Sequence, residues 1–155
     1  MATVLKQIVA GSAVSLLTTE LNSLANNSNG SAGSAVNNVA GGTSNLDGYV
    51  RGTVELVLAT YSGTPSAGTG VSLWFLRSID GGSNYEDGSS SVTPARMADV
   101  VIPVRALASG PQRITVPCWL PAGYWKPLLR NDGTGISFAS SGNTVKVTAE
   151  TDEGV

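Results

Sequence analysis

Short apolar runs with a two-residue period most constrain how this chain can fold. In the run TVELVL, Val54, Leu56 and Leu58 fall on one face, and Thr53 and Glu55 fall on the other. This alternation is typical of a half-buried strand. Similar runs continue towards the carboxyl terminus, separated by Gly, Pro, Asn and Asp turns. The pattern predicts an all-β domain over residues 47–155, an antiparallel β-sandwich or jelly roll of about seven to eight strands.

The run VSLWFLRSI departs from simple alternation because it is apolar on both faces. Val71, Leu73 and Phe75 share one side, while Trp74 and Leu76 share the other. A strand that is apolar on both faces has both of them covered. We therefore expect this strand to be central in its sheet or to lie at an interface.

Two later runs, DVVIPVRA and QRITVPCWL, each contain a proline, Pro103 and Pro117. Proline has no backbone N–H to donate to a neighbouring strand. These two runs are therefore predicted to be edge strands or to contain bulges. The runs YWKPLLRN, ISFAS and NTVKVTAE complete the predicted series of strands.

Residues 1–46 are predicted to form an extended arm rather than part of the sandwich. Thr3 to Val9 favours a short strand, and the spacing of Leu17, Leu21 and Leu24 favours a short helix near Thr18 to Asn26. Residues 21–46 carry no charge and are rich in Gly, Ser and Asn, a composition typical of a linker or loop. Packing against a partner chain would order such a tract; the alternative is a long loop pinned across its own domain.

Composition excludes several functional classes. Only 13% of the 155 residues are charged and the net charge is -2, so no basic surface for nucleic acid or an anionic membrane is expected. No run approaches the roughly 18 apolar residues of a membrane span. The amino terminus superficially resembles a secretory signal, but Gly11, Ser12 and Ser15 interrupt its apolar stretch.

Catalytic chemistry is also restricted by residue content. The chain has no histidine, which removes the commonest general base and metal ligand. Its single cysteine, Cys118, cannot form an intrachain disulfide and lacks the histidine that normally activates a catalytic thiolate. We therefore expect a protein that is not an enzyme and that has no cofactor.

The segment SIDGGSNYEDG, residues 78–88, is the most polar stretch that directly follows a predicted strand. Its Asp-Gly and Gly-Gly pairs favour a tight hairpin turn. The segment resembles the Asp-box of sialidases and other β proteins, a hairpin-loop motif with the pattern Ser-x-Asp-x-Gly-x-Thr-Trp. The resemblance implies a structural turn in which the aspartate bonds loop backbone and the aromatic residue packs beneath; the residues assigned to it are Ser78, Asp80, Gly82 and Tyr85.

The same segment has a metal-binding alternative. Asp80, Asn84, Glu86 and Asp87 offer hard oxygen ligands of the kind that calcium prefers. Their spacing does not match an EF-hand loop. The calcium site therefore stands beside the self-satisfied turn as a second interpretation of this segment.

Aromatic and leucine side chains are the candidates for contact with partners. Trp74, Trp119, Tyr124 and Trp125 could stack on sugar rings or pack against a neighbouring protein. The predicted interface residues are Leu17, Leu21, Leu24, Trp74, Trp119 and Trp125.

The chain combines four features: the neutral arm, the segments WFLRSIDGGSNYEDG and LPAGYWKPLLRNDGTG, and the closing NTVKVTAETDE. In this combination it resembles small structural proteins of tailed bacteriophages, most closely capsid decoration, or cement, proteins. The resemblance implies a non-enzymatic virion protein on the capsid surface, assembled in the host cytoplasm. Its implied partners are the major capsid protein at capsomer junctions and further copies of itself, such as a trimer. The alternative is a phage head-fibre or tail component with glycan-binding loops.

Overall fold

The computed structural model describes residues 6–40, 46 and 48–154, and the side chains among them from residue 11 to residue 150. The chain is all-β, as the sequence predicts. Within the described ranges, no helix has the length and apolar character that crossing a membrane would require. The strands are β1 (Lys6–Leu17), β2 (Asn29–Ser31), β3 (Val36–Asn38), β4 (Arg51–Leu58), β5 (Gly70–Arg77), β6 (Val100–Pro103), β7 (Gln112–Trp119), β8 (Gly123–Asp132) and β9 (Thr144–Gly154).

These strands form two antiparallel sheets, consistent with a β-sandwich. The first sheet, sheet A, has the order β1-β9-β4-β7, and the second, sheet B, has the order β2-β8-β5-β6, with β3 also paired to β8. Strand β5 is central because it pairs with both β6 and β8. Strands β6 and β7 end their sheets. The predictions for the doubly apolar run and for the two proline-containing runs are therefore confirmed.

The main core lies between the two sheets. The inward side chains of β4, Val54, Leu56 and Leu58, are fully buried there. Opposite them, the rings of Phe75 and Trp125 pack with their centroids 4.6 Å apart and their planes tilted by 57°. Burying a Leu or Phe side chain contributes about 1.5–3 kcal/mol, so this layer is the main source of the sandwich's stability.

A smaller apolar cluster lies on the outer face of sheet B. The long connection between β5 and β6, residues 78–99, folds back over Trp74, Leu76 and Leu128, and it contributes Tyr85 and Ala98 to the packing. Strand β5 is therefore apolar on both faces because the core covers one face and the chain's own loop covers the other.

The predicted amino-terminal arm and helix differ from the structure. Strand β1 pairs along β9 as part of sheet A, and the predicted helix is only a three-residue 3-10 turn, Thr19–Leu21. Leu17, Leu21 and Leu24 are buried in the main core. Packing at the end of the sandwich outweighs the weak helical preference of so short a segment. The core thus continues across the predicted boundary between residues 46 and 47; residues 3–5 of the predicted first strand lie outside the described ranges.

The described part of the charge-free tract is held by its own domain. Asn26 and Asn27 accept the backbone N–H groups of Gly135 and Gly133 through their Oδ1 atoms at 2.9 and 3.0 Å. Buried Asn38 donates to the carbonyls of Tyr49 and Pro121. These bonds correspond to the pinned-loop alternative, so these residues need no partner chain to be ordered.

One predicted strand is absent. The run ISFAS contains no strand, although Ile136 and Phe138 are buried in the main core. Phe138 donates its backbone N–H to Leu24 at 3.0 Å, which ties the loop to the amino-terminal segment. The alternation of buried and exposed residues in the run ISFAS therefore comes from a loop that lies across the end of the sandwich, not from a strand.

Candidate functional site

The segment after β5 forms a turn centred on Asp80. Asp80 Oδ1 accepts the hydroxyl of Ser78 at 2.7 Å and the backbone N–H groups of Ser83 and Asn84 at 3.1 and 2.9 Å. Ser78 Oγ in turn accepts the N–H of Gly82 at 2.9 Å. The aspartate thus bonds loop backbone, as the resemblance to an Asp-box implies.

These hydrogen bonds stabilise the charged form of Asp80. The backbone N–H of Asn84 is the largest cause, followed by the Ser78 hydroxyl and the Asn84 side-chain amide, and together they hold the pKa of Asp80 well below its ordinary value of 3.8. Both carboxylate oxygens are used, since Oδ2 accepts the Asn84 amide at 2.7 Å. The turn therefore satisfies its own charge with its own donors.

Tyr85 holds the turn against the sheet below it. Its ring packs on the outer cluster of sheet B, and Lys126 Nζ lies 4.5 Å from the ring centroid on the same surface. Gly82, at φ +95°, has the left-handed backbone that glycine favours, and a Cβ there would lie 3.1 Å from the Tyr124 ring. Ser78, Asp80, Gly82 and Tyr85 thus all take part in one structural turn.

Arg96 anchors the far end of the same loop, a role that the sequence did not indicate. Its guanidinium donates to Glu86 Oε2 at 2.9 Å, to Asp99 Oδ2 at 2.8 Å and to the carbonyl of Phe75 at 2.8 Å. Partial burial opposes its charge, but the bonds to Asp99 and Glu86 more than offset this and raise the pKa of Arg96. No local pattern could have revealed this network, since its members come from three separate segments of the chain.

The geometry gives no support to the calcium interpretation. Among the residues that the structure describes, no group of three or more acidic or cysteine side chains is placed to hold a metal ion. Asp80 is used inside its turn, whereas Glu86 points to Arg96 and accepts the backbone N–H of Arg77 at 3.2 Å. The carboxylates of Asp80 and Glu86 therefore bind different partners within the protein rather than one shared ion.

Most of the predicted interface residues are buried in the chain itself. Leu17, Leu21 and Leu24 lie in the main core, as does Trp125, and Trp74 lies beneath the 78–99 loop with Nε1 donating to the Arg96 carbonyl at 3.0 Å. The interface prediction for these five residues is wrong because their apolar faces are covered by other parts of the same chain. Trp119, in contrast, is 75% exposed.

Trp119 lies at the edge of a shallow pocket on the outer face of sheet A, called here the Trp119 pocket. Arg51 on β4 pairs with Trp119 on β7 and with Glu150 on β9, which places the three residues in one row across the sheet. Glu150 Oε1 accepts the Thr53 hydroxyl at 2.7 Å, and this bond fixes the carboxylate. The pocket has a volume of about 280 Å³ and is lined by Arg51, Gly52, Pro117, Cys118, Trp119 and Glu150.

Sequence reasoning singled out Trp119 but missed its neighbours. Alternation along β4 and β9 places Arg51 and Glu150 on outer faces, yet it does not tell which strands are adjacent. The pocket therefore became visible only when the pairing of β7, β4 and β9 was known.

The thiol of Cys118 is held in its protonated form. Burial is the main cause that raises the pKa of Cys118 to about 11, and the negative charge of Glu150 adds to it. A thiol with this pKa is almost entirely protonated at neutral pH. Because Cys118 packs against the main core, on the face of β7 opposite to Trp119, its side chain acts as a small apolar group of that core.

A larger groove opens on the opposite side of the sandwich, between β1 of sheet A and the β2–β3 edge of sheet B. This groove, called here the β1–β3 groove, has a volume of about 570 Å³. Within the described ranges, β1 and β3 each pair with one neighbour. The groove is lined by Val14, Ser15, Leu16, Glu20, Ala32, Gly33, Ser34, Ala35, Val36, Asn37 and Leu46.

Asn37, in this lining, carries a buried Oδ1 atom that has no hydrogen-bond partner among the described residues. Buried polar atoms in folded proteins are nearly always paired, so an orphan acceptor needs an explanation. A donor supplied from outside the described chain would satisfy it.

Comparison of the chain with protein-family models, with curated proteins and with solved structures finds no match.

Proposed function

We propose that this chain is a non-enzymatic structural protein of a phage virion, a capsid decoration protein with a jelly-roll body. The strand order supports the jelly roll. Strands β2 and β3 both pair with β8 and can be counted as one interrupted strand. The antiparallel pairs are then nested in the way that a single long hairpin rolled into two sheets would give: β1·β9, β2/β3·β8, β4·β7 and β5·β6. Jelly rolls occur in viral capsid and lectin domains, and this fold-level analogy favours the proposal without carrying it.

The observation that carries the proposal is the β1–β3 groove. It lies between two strands whose outer edges, within the described ranges, are free to pair. Exposed edges accept an added strand, and small side chains such as Gly33, Ser34 and Ala35 allow another backbone to approach closely. An extended segment of the major capsid protein would fit this groove, and one of its donors would satisfy Asn37 Oδ1.

The charge of the groove is consistent with a shell protein as the partner. Among the described residues of its lining, Glu20 is the single charged one. Attachment would therefore depend on backbone pairing and contact area rather than on ion pairs, and many weak attachments over a shell give avidity. Such a protein stabilises the shell by bridging its neighbours and needs no catalytic group.

The test mixes the purified chain with undecorated shells of the phage that encodes it and measures co-sedimentation. We expect binding at a fixed ratio of chains to capsid protein. Ser34→Arg places a bulky charge in the groove at an exposed position and should weaken binding, whereas Ser141→Arg, at an exposed position outside the groove lining, should not. A folded wild-type protein that never sediments with the shells would contradict the proposal.

The proposal also includes self-association, for example as a trimer on the shell. Native mass measurement should give a multiple of the 15.8 kDa chain mass, either in solution or after release from shells. A monomer under both conditions would remove self-association from the proposal and would leave shell attachment to the sedimentation experiment.

A further inference from the structure

The exposure of Trp119 has no explanation in the packing of the chain. A tryptophan side chain offers about 150–250 Å² of largely apolar surface, and folding normally covers most of it. Trp74 and Trp125 follow this rule, whereas Trp119 remains 75% exposed on the rim of a pocket. A flat aromatic surface in this position is available for stacking by a ligand.

The surroundings of Trp119 have the mixture of groups that a sugar requires. Pro117 is exposed two residues away on the same face of β7, and Arg51 and Glu150 continue the row across the sheet. The row crosses two strand spacings, about 10 Å, so Arg51 lies one strand away from Trp119 and Glu150 lies two strands away. A pyranose has an apolar C–H face for the aromatic ring and hydroxyl groups that both donate to carboxylates and accept from guanidinium groups.

We propose that the Trp119 pocket binds a neutral pyranose, with the sugar stacked on Trp119 and its hydroxyls bonded to Arg51 and Glu150. Among the lining residues that the structure describes, one positive and one negative side chain offset each other, so they offer no net charge to attract an anionic sugar. Glu150 is already oriented by the Thr53 hydroxyl at 2.7 Å, which reduces the cost of ordering it on binding.

The outer face of sheet A favours a small ligand over a second protein at this site. Energetically important aromatic residues in protein interfaces are usually surrounded by further contacts that exclude water. Along β4 and β9, the outer-face neighbours of the row are Thr53, Glu55, Lys146 and Thr148, which are polar and only half-buried. The pocket volume of about 280 Å³ is close to the usual size range of small-molecule sites. The pocket therefore fits one sugar ring better than it fits the surface of a second protein.

This inference is independent of the proposed attachment to a shell. Trp119 lies on β7 and the β1–β3 groove lies along β1, and these two strands are the opposite ends of sheet A. One surface can therefore face the shell while the other faces a glycan at a cell surface.

The first test is an array of immobilised neutral and sialylated oligosaccharides probed with labelled full-length protein, followed by titration with the methyl glycosides of glucose, galactose and mannose. We expect binding to neutral glycans. Trp119→Ala should weaken it about tenfold or more, because stacking and buried apolar area are lost together, while Trp119→Tyr should retain part of it. Val101→Ala, at an apolar position of β6 that is 63% exposed, is the matched control and should bind as the wild type does.

Fluorescence supplies a readout that does not depend on the array. Of the three tryptophans in the chain, Trp74 and Trp125 are buried, so acrylamide should quench mainly Trp119. A saturating neutral glycoside should protect this signal from quenching.

Three outcomes would overturn the proposal. The first is a folded protein that binds none of the neutral glycans and shows no protection by the methyl glycosides at millimolar concentration. The second is a Trp119→Ala variant that binds glycans unchanged. The third is a wild-type protein that binds no glycan, together with a Trp119→Ala variant that loses shell binding. That result would assign Trp119 to a protein partner instead.

Discussion

Arg96 Nη1 lies 2.8 Å from Asp99 Oδ2, at the end of the 78–99 loop directly before β6. The same oxygen of Asp99 accepts the backbone N–H of Phe75 at 2.7 Å, and Arg96 also donates to the Phe75 carbonyl. This pair therefore connects the loop to the backbone of the central strand β5, and the loop in turn covers Trp74 and Leu76.

Replacing Arg96 by alanine should destabilise the protein by about 1–3 kcal/mol, because Asp99 and the Phe75 carbonyl would lose a charged donor while remaining largely covered. Urea unfolding followed by circular dichroism measures the change. Arg105→Ala, at an exposed arginine in the next connection, is the matched control and should change stability by less than about 0.5 kcal/mol. Equal losses in the two variants would contradict the anchoring role of Arg96.

The turn at Asp80 should make stability depend on pH in the acid range. Because the folded-state pKa of Asp80 is depressed, its contribution is fully present well above its ordinary value of 3.8 and is lost as the pH falls below that value towards the folded-state pKa. Asp80→Asn should therefore lower the melting temperature near neutral pH, and its difference from wild type should shrink as the solution is acidified. Asp87→Asn, at an exposed carboxylate of the same loop, serves as the control; a difference for Asp80→Asn that grows on acidification would reverse the assigned sign.

Close approach of β4 and β9 requires glycine at position 52. A Cβ built there would lie 2.5 Å from the Thr148 carbonyl oxygen, which belongs to backbone and cannot rotate away. Gly52→Ala should therefore cost more than about 2 kcal/mol by forcing the two strands apart. Gly33→Ala meets no heavy atom within 4 Å and should be close to neutral in the same urea titration. Similar midpoints for the two variants would argue against the close approach.

Cys118 should resist alkylation in the folded protein. Its pKa of about 11 leaves far less thiolate at pH 8 than the ordinary value of about 8.5 in an unfolded chain, so iodoacetamide should react about a hundredfold more slowly before unfolding than in urea. Mass spectrometry of timed samples gives both rates, and the native rate should rise as the pH approaches 11. Rapid native labelling at pH 8 would show that the thiol is not held protonated.

The strands were predictable because their signals are local. Alternation along β4 requires only that one face of a strand is buried, and proline at positions 103 and 117 removes a ladder donor whatever the neighbour is. The Asp80 turn is equally local, since its donors lie within five residues of the carboxylate. These features need no knowledge of which strands lie side by side.

Local patterns failed where distant segments meet. The spacing of Leu17, Leu21 and Leu24 suits a helix, but pairing of β1 with β9 and burial at the end of the core determine the conformation there. The asparagines of the charge-free tract look like linker residues until Gly133 and Gly135 come within hydrogen-bonding distance.

The sequence by itself determined that this chain is all-β, and it predicted that β5 is covered on both faces and that residues 78–88 form a turn. Only the tertiary structure decided what covers each face. An apolar residue in the sequence indicates that its side chain is shielded from water, but it does not indicate which segment of the chain shields it. That is why Trp74, Trp119 and Trp125 were equivalent in the sequence. In the folded chain a loop covers the first and the core covers the third, whereas Trp119 stands exposed beside Arg51 and Glu150.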